Sequence, residues 1–81
     1  MTIDIFDDIQ KTIAEALQVE PELVTPELAF GGIKQWDSMG HMGIIMLLEE
    51  RFGIPVDADL IGTLTSVPAI CEYVSKSGGK S

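Results

Sequence analysis

These 81 residues hold one cysteine, one histidine, one tryptophan and one tyrosine. Cys71 alone allows no internal disulfide, which makes the cytoplasm the expected compartment. A lone thiol and a distant imidazole do not make a metal site. Basic residues are scarce as well: five Lys and Arg stand against thirteen Asp and Glu, a formal charge of −8. That balance repels nucleic acid and anionic membranes, and makes a basic protein surface the natural partner. No apolar run reaches the ~18 residues of a membrane span, so no membrane insertion is expected. The acidic start "MTIDIFDDI" lacks the basic region and long apolar run of a signal peptide. Length is the last shortage. A chain this short argues for one domain, 1–81, that buries only about 60% of its unfolded surface. There is room for a core but not for a deep substrate cavity as well, so a self-contained enzyme is disfavoured.

The apolar residues that are present recur at helical spacing. Phe6, Ile9, Ile13 and Leu17 predict a first helix from Thr2 or Asp4 to Gln18, with Asp4, Asp7 and Asp8 at the end where the helix dipole favours acids. Pro21, Pro26, Gly31 and Gly32 then forbid another long helix and predict a long loop, with a helical turn near Glu22. Leu23, Val24, Leu28, Phe30, Ile33 and Trp36 are expected to pin that loop against the helices. A second helix fits Ser38 to Phe52, stopped by Gly53 with Pro55 beyond. "VDADLIGTL" permits a short helix. The last helix has Thr65 or Ser66 as its cap, Pro68 in its first turn, and Val67, Ile70, Cys71 and Val74 on one face. No stretch shows strand alternation. The expected fold is all-α: a small four-helix bundle of three main helices and one short one, with a long first loop. Its ordered core covers about 3–75, with a flexible tail at 76–81.

The stretch "QWDSMGHM" opens the second helix. Asp37 is a good N-cap, and Ser38 follows at the first helical position. A phosphate on that hydroxyl would lie near the positive end of the helix dipole. Taken alone, "DS" is better explained by a plain helix start. The context says more. The chain from about residue 3 to 75 resembles the acyl carrier protein family, including the related peptidyl carrier domains. The resemblance lies in the Pro/Gly loop, "DSM" where the family has Asp-Ser-Leu, the apolar helix ending "LLEERFGIPV", the short acidic segment and "TSVPAICEYV". It implies a non-catalytic carrier with 4′-phosphopantetheine attached covalently at Ser38. A phosphopantetheinyl transferase would deliver the arm from coenzyme A with Mg²⁺, and Asp37 would help to position the serine or that metal. The arm would then hold an acyl or aminoacyl group as a thioester. Acyl-loading, modifying and acyl-transferring enzymes would be the partners of a carrier expected to be monomeric.

Other residues admit blander readings. A Ser38–His41–Asp37 hydrolase is disfavoured, because neighbours on one helix seldom align an imidazole with both a serine and an orienting acid. His41 falls with Ile45, Leu48 and Phe52 on the wheel and is expected to pack or hydrogen-bond, contact with the arm being the alternative. Trp36 should cover the loop–helix junction, and Cys71 should pack in the core. Asp57 and Asp59 lack the Gly and Glu of a calcium loop and read as a solvated acidic turn facing a partner. Gly40 and Gly43 stand where many carriers of fatty acid synthesis place acids, and Arg51 replaces a further acid. A glycine inside a helix costs about 1 kcal/mol against alanine, so close packing or a close partner should offset it. Glu49 and Glu50 remain of the acidic stripe. This thinning favours a dedicated natural-product, modified-lipid or polysaccharide pathway. The alternatives are primary fatty acid synthesis or an unmodified helical interaction module. Met39, Met42 and Met46 share the serine's side of the helix, opposite Ile44, Ile45, Leu48 and Phe52, and are expected to dock partners with Glu49, Glu50, Asp57 and Asp59.

Overall fold

The computed structural model describes residues 5–76 and is helical throughout its regular elements. Helix α1 spans Ile5–Leu17, α2 Ser38–Phe52, α3 Ala58–Thr63 and α4 Val67–Lys76, and a 3-10 turn at Pro21–Leu23 interrupts the first loop. The expected start of α1 at Thr2 or Asp4 lies outside the described residues, as does the expected tail 76–81 apart from Lys76, which closes α4 as part of the helix. Among the described residues there is no strand, only an isolated antiparallel bridge between Ala29 and Ser66.

Each helix ends for a local reason. Gln18 takes a left-handed conformation at φ 60° and ends α1. The Val19 amide then reaches the Ala14 carbonyl at 3.0 Å and the Gln18 amide reaches Glu15 at 3.3 Å, a Schellman closure without glycine. Gly53 ends α2 at φ 70°, its amide bonded to the Glu49 carbonyl at 2.9 Å. The Asp57 carboxylate caps α3 by accepting from the Asp59 amide at 2.8 Å. Of the two caps considered for α4, it is Ser66 that serves: its hydroxyl oxygen accepts from the Ala69 amide at 3.2 Å.

The core lies among α1, α2 and α4. Ile9, Ile13 and Leu17 meet Ile44, Ile45 and Leu48 of α2 and Val67, Ile70 and Val74 of α4, all buried. Burying each such side chain contributes about 1.5–3 kcal/mol relative to leaving it in water. Arg51 joins α2 to α1, bonding both the Glu15 carboxylate and, at 3.4 Å, the Thr12 hydroxyl. Cys71 is only half-buried at the core's margin.

Val24, Leu28 and Trp36 pin the long loop from inside, and Ile33 is half-buried. Leu23 and Phe30 do not pin it. They remain 45% and 47% exposed, because the loop's inner face is already filled by their neighbours. The backbone does the rest. The Phe30 amide donates to the Thr65 carbonyl at 2.8 Å, and the Val67 amide to the Leu28 carbonyl at 2.9 Å. These two bonds stitch the loop to the α3–α4 connection and bring Phe30 beside Thr65.

Candidate functional site: the start of α2 and its groove

The chain passes from the core to the surface between Trp36 and the consecutive pair Asp37 and Ser38. Trp36 is wholly buried, whereas Asp37 and Ser38 are exposed. The Asp37 carboxylate accepts the Gly40 amide at 2.9 Å, and its own carbonyl accepts from His41 at 2.8 Å. Those bonds fix the first turn of α2, and with it the place of Ser38 at the helix end. The expected N-cap is therefore present.

Gly40 has no room for a side chain. A Cβ there would overlap the Gln35 carbonyl oxygen and lie 2.8 Å from Leu17 Cδ2. The glycine lets the loop before α2 fold back onto the helix and close against α1. Gly43 differs: a Cβ would meet Ala16 at 3.7–3.9 Å, an ordinary contact. Close packing thus accounts for one of the two glycines, and no crowding within the chain accounts for the other.

His41 is 5% exposed and engaged on both ring nitrogens. Trp36 Nε1–H donates to its Nδ1 at 3.0 Å, and its Nε2 lies 2.8 Å from the Ile61 carbonyl of α3. Indole is only a donor, so Nδ1 must accept and Nε2–H must donate, which assigns the tautomer. Trp36 stacks on the ring with centroids 6.1 Å apart, and Phe30 meets it edge-on at 5.7 Å. With both nitrogens bonded and Asp37 engaged as a cap, no base is left for Ser38. The serine-hydrolase arrangement is not built here. Among the described residues, no cluster of three or more His, Cys, Asp or Glu side chains could hold a metal ion.

Beside Ser38 runs a groove of about 530 Å³, lined by Phe30, Ser38, His41, Met42, Ile61 and Thr65. Four elements of the fold meet in it. Of these residues, Phe30, Ile61 and Thr65 were not legible as site residues. Phe30 reads as a loop anchor and Thr65 as a cap, and only the Ala29–Ser66 bridge brings them to the serine. Met42, which lines the groove, is 39% exposed, and Met39 and Met46 of the same helix, outside its lining, are 82% and 58% exposed. Glu49 and Glu50 are exposed further along α2, and Asp57 and Asp59 at the start of α3. Asp57 has a structural duty besides, as the cap of α3.

Comparison with known proteins gives the arrangement its context. The family described as "Phosphopantetheine attachment site" matches residues 7–74. An acyl carrier protein of Helicobacter pylori (strain G27) is 36% identical over 70 residues, covering 86% of this chain and 90% of the relative. One from Thermosynechococcus vestitus (strain NIES-2133 / IAM M-273 / BP-1) is 29% identical over 72 residues, covering 89% of each. An acidic helical domain with an exposed serine opening α2, matched along most of its length by these proteins, belongs to the acyl carrier protein family, whose members are non-catalytic carriers with covalent 4′-phosphopantetheine.

Proposed function

We propose that Ser38 is the residue that takes the arm and that Asp37 is its positioning residue. The observation that carries this is the contrast at the start of α2. Ser38 is exposed at the mouth of the groove, while its neighbours on both sides are locked, Trp36 by burial and Gly40 by the Asp37 cap. A hydroxyl held at a fixed place on a rigid helix end suits a group that a transferase must find. The positive end of the α2 dipole then favours the phosphodiester that results. When bound, the arm supplies a thiol that holds the acyl group as a thioester. Incubation with coenzyme A, Mg²⁺ and a broad-specificity phosphopantetheinyl transferase should add one arm to the wild type and none to Ser38→Ala, read by intact mass. A full shift in the alanine variant would sink the assignment.

The partner face in this reading is the outer side of α2 and the start of α3: Met39, Met42, Met46, Glu49, Glu50, Asp57 and Asp59. Flexible thioethers flanked by acids suit a surface that meets several basic enzymes in turn. The carrier acts as a monomer in the cytoplasm, kept apart from its copies by its charge of −8. Its pathway is a dedicated one making a natural product, a modified lipid or a surface polysaccharide. Supporting this, Gly40 admits no acid, and Arg51 is turned towards α1 and Glu15. Presenting the holo protein to loading enzymes of each class tests it. Acceptance only by an enzyme of primary fatty acid synthesis would overturn it.

A further inference from the structure

We infer that His41, backed by Trp36, sets the depth of the groove beside Ser38 and so keeps a long acyl chain from being buried between α2 and α3. The inference rests on Ser38 bearing the arm. The rim of the groove is apolar where Phe30, Met42 and Ile61 contribute, so it offers a place for a few methylenes near the serine. Its inner wall is different. His41 stands there with both ring nitrogens bonded, one to the Trp36 indole and one to the Ile61 carbonyl. An aliphatic side chain at position 41 would swing between rotamers to admit a longer guest. An imidazole tied at both ends does not.

A chain that passed between α2 and α3 would have to part His41 from Ile61. That would leave a buried N–H and a carbonyl without partners, and a buried polar group stripped of its partner is costly. Behind the imidazole there is no yielding space either, since Trp36 is wholly buried and stacked on it. No buried side-chain nitrogen or oxygen lacks a partner among the described residues, so the network is complete with the groove in its present form. His41 thus limits how much of a chain the groove can bury. It holds α3 in place and leaves a shallow shelf in place of a tunnel.

The test uses the full chain loaded at Ser38 from butyryl- and dodecanoyl-coenzyme A by a phosphopantetheinyl transferase. Cleavage of each thioester by hydroxylamine is followed by intact mass and compared with the same acyl-pantetheine free in solution. A pocket that buries a chain discriminates by about tenfold for each methylene, so burial shows as a steep dependence on length. In the wild type the two protection factors should agree within about threefold, far below that gradient. The Trp36 indole proton resonance should also be the same in both loaded forms. The double variant Trp36→Phe/His41→Leu removes the indole donor and its acceptor together, so that only the part-buried Ile61 carbonyl loses its partner. In it, the dodecanoyl thioester should become protected while the butyryl thioester does not, a split that general loosening of the fold cannot produce. Strong protection of the dodecanoyl thioester in the wild type would overturn the inference. So would a double variant that stays folded and shows no gain in protection. Absence of any mass shift on loading would instead remove the assignment of Ser38, and the inference with it.

Discussion

Gly40 and Gly43 stand three positions apart on one helix and differ in what surrounds them. A methyl group at 40 must displace the Gln35 backbone or the Leu17 side chain, whereas one at 43 only touches Ala16. Gly40→Ala should therefore destabilise the domain by about 1–3 kcal/mol, overpacking outweighing the gain in helix propensity. Gly43→Ala should instead stabilise it by about 0.5–1 kcal/mol. Denaturant midpoints of the two variants settle the matter, and equal effects of one sign would contradict the packing described. The two glycines look alike in a sequence because crowding depends on how the preceding loop returns. Asp37 and Ser38 were legible, since a cap followed by an apolar run is a local signal. The bonds of His41 were legible only as a tendency to be buried. Its partners, Trp36 Nε1 and the Ile61 carbonyl, are fixed by tertiary placement.

Helix α2 carries apolar residues on both of its faces, so periodicity alone cannot say which face is inside. Exposure separates them: Leu48 is wholly buried and Met46 is 58% exposed. Met46→Glu should keep the helical circular dichroism and melt within a few degrees of the wild type, yet be modified more slowly by the transferase. Leu48→Glu should unfold, because an unpaired buried carboxylate costs several kcal/mol and a domain holds only about 5–15. If both variants collapse, the methionines serve the core and docking lies elsewhere. The bounds of α2 and the start of α4 were readable because their signals are chemical, Gly53 after the one and a Thr65–Ser66 pair before the other, whereas Asp57 read as an acidic turn and proves to be the cap of α3. The end of α1 was less readable. Gln18 in a left-handed conformation carries no mark in its residue type.

Across the whole molecule, the excess of acid acts at a distance. Association with a basic transferase should slow as salt rises, because exposed charges are screened within roughly 10 Å at 0.1 M. Stopped-flow rates across a salt series measure this, and a flat response would contradict electrostatic steering. Gly43→Glu, placed where a side chain has room, should steepen the slope. The bundle is not uniformly held, however. α3 buries no residue completely, and its tie to α2 includes the single bond from His41 Nε2 to Ile61. Cooperative units with few buried apolar groups open before the rest of a domain does. The α3 backbone amide at Ile61 should therefore exchange with deuterium through a sub-global opening. The rate there should depend on dilute denaturant less steeply than those of Ile13 and Ile45 in the core, which should track global unfolding. Uniform rates across all four helices would show one cooperative unit. An opening of that kind would carry away the side of the groove that Ile61 supplies and leave His41 and Ser38 together on α2.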